Sequence, residues 1–103
     1  MLKLAPEPTF VVGVALPVPG QPDQLVNVTF RHQGRAALRG WLDAAREAQS
    51  DAALLGEVIA GWKGIDAEYS AANLAALLDA YPGAGGALFN AYVAELGKAA
   101  AKN

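Results

Sequence analysis

The sequence predicts an α+β fold, mainly helical, in which an N-terminal β-hairpin is followed by about four helices. Two patterns indicate it. Before about residue 33, apolar and polar residues alternate, as they do on a strand with one buried face. After it, apolar residues recur every three or four positions, as they do along one stripe of a helix. Because the chain has 103 residues and no long linker, residues 1–103 are expected to form a single domain.

The hairpin is predicted over residues 9–32. The apolar residues that share one face of its strands are Phe10, Val12, Val14, Leu16, Val26, Val28 and Phe30. Pro17, Pro19 and Pro22 fall between the two runs and have no backbone N–H, so they are placed in a long, stiffened loop. Since an isolated hairpin is only marginally stable in water, its apolar face must rest on the helices.

The helices are predicted at residues 35–49, 51–62, 71–81 and 85–101. Their apolar stripes are Leu38, Trp41, Leu42 and Ala45, then Leu54, Leu55, Val58, Ile59 and Trp62, then Leu74, Leu77, Leu78 and Tyr81, and finally Leu88, Phe89, Tyr92, Val93 and Leu96. Ser50 and Ser70 are typical N-cap residues for the second and third helices, and Pro82 ends the third.

The stretch EVIAGWKGIDAEYS, residues 57–70, is interpreted as a structural junction between two helices. The junction residues are Gly61, Trp62, Gly64 and Ser70. The glycines tolerate the positive φ of a helix C-terminus, and the tryptophan completes the preceding stripe. The alternative is a catalytic pair formed by Asp66 and Glu68. Two carboxylates in an exposed connection both stay ionised, so the structural interpretation is favoured.

Composition excludes several classes of function. Apolar residues make up 53% and charged residues 17% of the chain, which argues against disorder. The net charge of −2 lacks the basic excess that nucleic-acid binding requires. No apolar run approaches the ~18 residues of a membrane span. There is no cysteine, and the N-terminus has no apolar signal core, so a cytoplasmic protein without disulfides is expected.

Other candidate sites have weak support. His32 is the only histidine and has no nucleophile motif beside it. Residues 82–92, PGAGGALFNAY, are glycine-rich but lack the phosphate-loop pattern, so their glycines are expected to turn the chain or let helices approach closely. No catalytic residue, metal site or cofactor is predicted. A solvated helix face, or alternatively a basic docking patch, is formed by Arg35, Arg39, Asp43, Arg46 and Glu47.

Several short motifs together resemble a known family. They are E-V-x-x-G-W-K-G at residues 57–64, S-x-x-N-L at 70–74, L-L-D-x-Y-P-G-A at 77–84, the ending Lys102-Asn103 and, more loosely, V-x-F-R-H at 28–32 followed by a helix with Trp41. In this combination the chain resembles the tail assembly chaperones of long-tailed, siphovirus-type bacteriophages or prophages.

The resemblance implies a protein without catalytic activity. Such chaperones bind the tape measure protein in the host cytoplasm, keep it soluble until the tail tube forms around it, and are absent from the mature virion. Weak self-association is also expected, because a coat along a filament needs contacts between neighbouring copies. The contact face is assigned to Phe89, Tyr92, Val93 and Leu96. The alternative is that this stripe is ordinary core.

Two other classes of function stay open on the sequence alone. One is a small regulatory or toxin-antitoxin-like binding module, which neighbouring tail-protein genes would argue against. The other is a small hydrolase-like enzyme that uses Asp66, Glu68 and His32, which requires a pocket joining all three residues.

The last residues, LGKAAAKN, suggest a translational feature of the gene. The sequence ends while its predicted final helix is still rich in alanine and lysine, with no apolar residue larger than alanine after Leu96. In the family that the chain resembles, some ribosomes slip back one base and make a longer form that recruits the tail tube protein. Slippery heptamers are compatible with the codons of Leu96-Gly97-Lys98 and of Ala101-Lys102-Asn103. The alternative is that lysine and asparagine simply end a solvated helix.

Overall fold

The computed structural model describes residues 1–48 and 50–97. Its elements are β1 (Thr9–Leu16), β2 (Gln24–Arg31), α1 (Arg35–Ala45), α2 (Asp51–Gly56), β3 (Ile59–Lys63), α3 (Ala71–Ala80) and α4 (Ala84–Leu96). The predicted α+β class and the N-terminal hairpin are confirmed. In the described part of the chain, no helix has the length and hydrophobicity that a bilayer span requires.

The hairpin forms as its alternation predicts. β1 and β2 pair antiparallel, with Phe10 opposite Phe30 and Val14 opposite Val26. The predicted apolar face is buried or half-buried, whereas the residues between its members are mostly exposed. The connecting loop turns at Gly20, whose φ of 76° is positive, and the Gln21 N–H donates to the Val18 carbonyl at 3.1 Å. The three prolines lie outside both strands, as expected.

The prediction of a second helix at residues 51–62 is wrong for its second half. α2 ends at Gly56, and residues 59–63 form β3, which adds to β2 in the sheet order β1-β2-β3. Glycine is a poor helix former, whereas consecutive β-branched residues favour a strand. The sheet supplies the partner: the Arg31 N–H donates to the Val58 carbonyl at 2.6 Å, and the Arg31 guanidinium donates to the Ile59 carbonyl at 2.8 Å.

The predicted junction between two helices is therefore also wrong in part. Gly61 and Trp62 lie within β3, opposite Thr29 and Val28 of β2, and Gly61 does not have a positive φ. Gly64 does have one, at 98°, but it ends a strand and not a helix. Ser70 is confirmed as the N-cap of α3, since its hydroxyl accepts the Asn73 N–H at 3.0 Å.

The other helices end within a few residues of the predicted bounds. α1 ends at Ala45, short of the predicted 49, and residue 49 lies outside the described residues. Ser50 caps α2 by accepting the Ala53 N–H at 3.3 Å. α4 begins at Ala84 and is described to Leu96. Residues 98–103, which carry most of the proposed slippery codons, also lie outside the described residues.

An aromatic cluster joins the helices to the sheet. The Tyr92 ring of α4 stacks on Phe10 of β1, with centroids 6.0 Å apart, and lies 5.0 Å from the Phe30 ring of β2. The Trp41 ring of α1 meets Tyr92 edge to face at 5.2 Å and stacks on Phe89 at 5.3 Å. The Trp41 indole N–H donates to a carbonyl of α2 at 3.0 Å. The core thus lies between one face of the sheet and the helices.

Candidate partner-binding groove

An open groove lies at the end of the sheet where β1 ends, β2 begins and β3 ends. Its volume is about 450 Å³. The described residues that line it are Leu16, Val18, Gln24, Val26, Trp62, Gly64, Ile65, Asp66, Ala67, Asn73, Ala76, Leu77 and Tyr81. Apolar side chains predominate, and Asp66 is the one charged residue among these. We call this feature the groove.

The strands and α3 supply opposite walls of the groove. On the sheet side, Leu16 and Val26 are buried by the hairpin alternation, so they form an apolar floor. On the helix side, Asn73, Ala76 and Leu77 are spaced three and four residues apart, which places them on one face of α3.

Trp62 fixes the segment that closes the groove between β3 and α3. Its indole N–H donates to the Ala67 carbonyl at 2.8 Å, and its ring meets the Tyr69 ring edge to face at 5.0 Å. The Asn73 side-chain amide donates to the Glu68 carbonyl at 2.7 Å. Residues 64–70 are therefore tied to both walls, so this rim of the groove is pre-formed.

Gly64 allows this segment to turn against the sheet. Its φ of 98° is a conformation that residues with a Cβ rarely adopt. A Cβ added here would lie 3.5 Å from the Val26 Cα, so space alone does not exclude a side chain. The requirement for glycine comes from the backbone conformation.

The acid–base residues considered for an enzyme are not brought together. Asp66 lines the groove and shares a shallow surface hollow with Glu68 and Lys63. His32 follows the opposite end of β2, where its ring lies 6.5 Å from Phe10. It lies six residue steps along the chain from Val26 beside the groove, which corresponds to roughly 20 Å at ~3.3 Å per step of extended strand. Neither of the two pockets that Asp66 lines contains His32.

The predicted contact stripe on α4 packs largely inward. Tyr92 is 0% exposed, and its hydroxyl donates to the Arg31 carbonyl at 2.7 Å. Phe89, Val93 and Leu96 are half-buried against the core. Tyr92 is thus a core residue, as the alternative interpretation held. The half-buried members keep part of their surface accessible, and their role in binding stays a prediction.

Burial also affects the two tyrosines that anchor these regions. Desolvation of the phenolate raises the pKa of Tyr92 to about 12. It raises the pKa of Tyr69 as well, with the positive charge of Arg31 acting in the opposite direction. Both side chains are therefore neutral near pH 7, where they serve as packing and hydrogen-bonding groups and not as acids.

The glycine-rich segment and the charged helix face have structural roles that the sequence partly predicts. A Cβ on Gly83 would lie 2.7 Å from Pro17, and one on Gly85 would lie 2.7 Å from an Asp51 carboxylate oxygen, so both glycines permit close approach of α4. The charged residues of α1 are all exposed. Among residues 1–48 and 50–97, no group of acidic residues and histidine is placed to hold a metal ion.

Sequence reasoning missed the groove because it missed β3. Without a third strand, Trp62 belongs to a helix stripe and Ile65 to a short connection. The spacing of Asn73, Ala76 and Leu77 was available as a signal, since it defines a face of α3 beside the predicted stripe.

Fold and groove together define a class: a small α+β protein that presents an apolar, partly pre-formed surface suited to the side chains of another protein. A family model described as phage tail assembly chaperone matches residues 1–103, and the chain belongs to this family. No curated protein matches the chain. No solved structure matches it either.

Proposed function

We propose that this chaperone binds the tape measure protein of its phage in the host cytoplasm, keeps it soluble until the tail tube assembles around it, and leaves before the virion is complete. The observation that supports the proposal is the groove, an open apolar surface on a member of the tail assembly chaperone family. The role is one of binding, without catalysis.

The chemistry of the partner supports binding in the groove. A tape measure protein is long, helical and apolar on part of its surface, so its exposed helix faces aggregate unless they are covered. An amphipathic helix presents anchors at positions i, i+3 and i+4 to an apolar groove. The groove has a volume of about 450 Å³, enough for a few such side chains. Gln24 and Asn73 also line the groove, so their polar groups can form hydrogen bonds with the backbone or side chains of a bound helix.

The exposed part of the α4 stripe is proposed as a second contact face. Phe89, Val93 and Leu96 offer half-buried apolar surface on a helix that lies apart from the groove lining. A helical filament bound by many copies has room for contacts with more than one face of each copy. The groove is preferred as the primary site, because its floor and rim are already in place.

Co-expression with the tape measure protein tests the proposal and the choice of face. The informative variant is Ala76→Arg, which directs a long side chain into the groove from an exposed position on α3. The matched control is Ala75→Arg, since Ala75 is also exposed on α3 but does not line the groove. Arginine is a good helix former, so neither change disturbs the helix. Leu96→Arg reports on the α4 stripe.

The wild-type chain and Ala75→Arg are expected to keep the tape measure protein in the soluble fraction and to co-purify with it. Ala76→Arg is expected to lose both effects while its circular dichroism spectrum stays native. If Ala76→Arg behaves like its control and only Leu96→Arg fails, the contact face is the α4 stripe. If the wild-type chain neither solubilises nor binds the tape measure protein, the proposed function is wrong.

The tail tube protein is proposed as a second partner, reached through a frameshift-extended form of the chain. Support comes from the family membership and from the codons that the C-terminal residues permit. The gene sequence tests it. A heptamer A AAA AAC or G GGA AAG, followed by an open minus-one frame, supports the extended form, and the absence of both heptamers contradicts it.

A further inference from the structure

The two edges of the sheet differ in how they resist pairing with another strand. Edge strands are normally protected by shortness, by charged residues or by irregular geometry. β3 has all three: it spans five residues, it carries Lys63, and its register with β2 shifts between Thr29 and Phe30. β1 has none of them. Its eight residues, TFVVGVAL, contain no charge and no proline, and its register with β2 is regular throughout.

The pattern of hydrogen bonds between β1 and β2 shows which backbone N–H and C=O groups β1 presents at its free edge. The His32 N–H donates to the Pro8 carbonyl at 2.9 Å, so Pro8 and His32 form a hydrogen-bonded pair. Such pairs alternate along an antiparallel ladder, so the even-numbered residues of β1 bond to β2. The odd-numbered residues, Thr9, Val11, Gly13 and Ala15, point their N–H and C=O groups away from β2.

The outward N–H and C=O groups of these four residues make no backbone hydrogen bond in the described part of the chain. The side chains of the same residues lie on the exposed face of the sheet, opposite α4, and Val11 is 64% exposed. Unpaired backbone groups in a long apolar strand are a template for strand addition.

We propose that a second copy of this chain pairs with the first through β1, antiparallel about a two-fold axis, to give one continuous six-stranded sheet. The strand is complementary to itself. When the axis passes beside Val12, Val11 of one copy lies opposite Gly13 of the other, and Thr9 lies opposite Ala15. Every outward N–H and C=O of the four residues then finds a partner, and large side chains face small ones.

Charge does not oppose pairing with a second copy. A two-fold axis places each charged residue near its own counterpart, which destabilises strands that carry charge. β1 has no charged residue, and Lys3 and Glu7, which precede it in the sequence, already form an ion pair within one copy. The contact involves only one strand from each copy and falls below the area of a stable dimer, so the pairing is weak and concentration-dependent. Trp62 and α3 lie away from this edge, so the groove walls they form stay open in the pair.

Two substitutions on the same exposed face separate edge pairing from packing of the faces. Val11→Lys places a charge on the edge strand, and Leu25→Lys places one on the central strand β2. Their side chains are matched in exposure, at 64% and 70%. Sedimentation velocity on the 103-residue chain, from about 10 μM to about 1 mM, measures association without any partner protein.

The wild-type chain is expected to form dimers at the upper end of this range. Val11→Lys is expected to weaken association at least ~10-fold, and Leu25→Lys less than ~3-fold. Equal weakening by both variants means that the sheet faces pack together, which overturns the edge proposal. A wild-type chain that stays monomeric throughout also overturns it.

Hydrogen exchange gives a second test that needs no variant. The amides of Val11, Gly13 and Ala15 are expected to exchange rapidly at about 10 μM and more slowly at about 1 mM, while the amides of Val12 and Val14 stay protected at both. Rates that do not change with concentration at Val11, Gly13 and Ala15 contradict the proposal, whatever happens to the variants.

Discussion

Replacing Tyr92 with phenylalanine tests how α4 is joined to the sheet. The change keeps the ring, and therefore its contacts with Phe10, Phe30 and Trp41, and removes only the hydroxyl. That hydroxyl donates to the Arg31 carbonyl at 2.7 Å in a side chain that is 0% exposed. The perturbation is thus limited to one part-buried hydrogen bond beside the aromatic cluster.

The expected cost follows from the loss of that part-buried bond. A neutral hydrogen bond contributes about 0.5–1.5 kcal/mol to stability, and an acceptor that water does not fully reach after the change adds to the cost. Tyr92→Phe is therefore expected to lower the free energy of unfolding by about 1–2 kcal/mol. Truncation to alanine removes the ring as well and is expected to cost ~3–5 kcal/mol or more.

Urea denaturation near neutral pH and at about pH 11 measures both the cost and its pH dependence. The pKa of Tyr92 is raised from 10.0 to about 12 in the folded protein, so the neutral form is favoured by folding. A raised pKa contributes stability that is fully present below the unfolded value and is lost as pH rises through the folded value. The wild-type advantage over Tyr92→Phe is therefore expected to shrink between pH 10 and pH 12.

The control for this measurement is built into the comparison. Tyr69, whose pKa is also raised by burial, is present in both proteins, so its contribution cancels in the difference. An equal stability of the two proteins near neutral pH would show that the Tyr92 hydroxyl is already solvated in the folded state. A difference that stays constant up to pH 12 would show that the phenolate forms without opening the core.

Three further outcomes are expected, each measured by chemical denaturation. Gly64→Ala is expected to cost ~1–2 kcal/mol, because Gly64 has a positive φ. Gly61→Ala is expected to change stability by less than ~0.5 kcal/mol, because Gly61 lies in extended backbone and no atom lies within 4 Å of the added Cβ. Equal costs would contradict the strand assignment of residues 59–63. Trp62→Phe is expected to cost ~1 kcal/mol, because it loses the hydrogen bond to the Ala67 carbonyl. It is also expected to speed hydrogen exchange of the amides of residues 64–67. Unchanged exchange at these amides would show that Trp62 does not hold the rim of the groove. Ser70→Ala is expected to cost ~1 kcal/mol as a lost N-cap, and Ser70→Asp is expected to recover most of it; a failure of the aspartate to do so would place the loss outside the cap.

The hairpin and the helix caps could be predicted because local chemistry determines them. Alternation in β1 and β2 admits one buried face, and a one-residue slip would expose Phe30. Ser50 and Ser70 accept N–H groups three residues later, which requires no knowledge of the rest of the fold. A short stretch of sequence is therefore enough to predict each of these features.

β3 could not be predicted in the same way, because its apolar residues continue the spacing of the preceding helix. Val58, Ile59 and Trp62 continue the helical spacing of Leu54 and Leu55. Tertiary contacts favour the strand: β2 offers an unpaired edge, and Arg31 donates to the Val58 and Ile59 carbonyls at the start of the incoming segment, from its backbone N–H and its guanidinium. Because the groove depends on that strand, it could not be predicted from the sequence either. The burial of Tyr92 was likewise decided by the packing of α4 on β1.

Hydrogen exchange on the purified complex with the tape measure protein reports where on this chain that protein binds. Binding in the groove predicts slower exchange of the amides of residues 64–67, which form its rim, and no change in α1, which lies away from it and serves as an internal reference. Slower exchange confined to α4 or α1, with residues 64–67 unaffected in a stable complex, would contradict the assignment of the groove as the primary binding site for the tape measure protein.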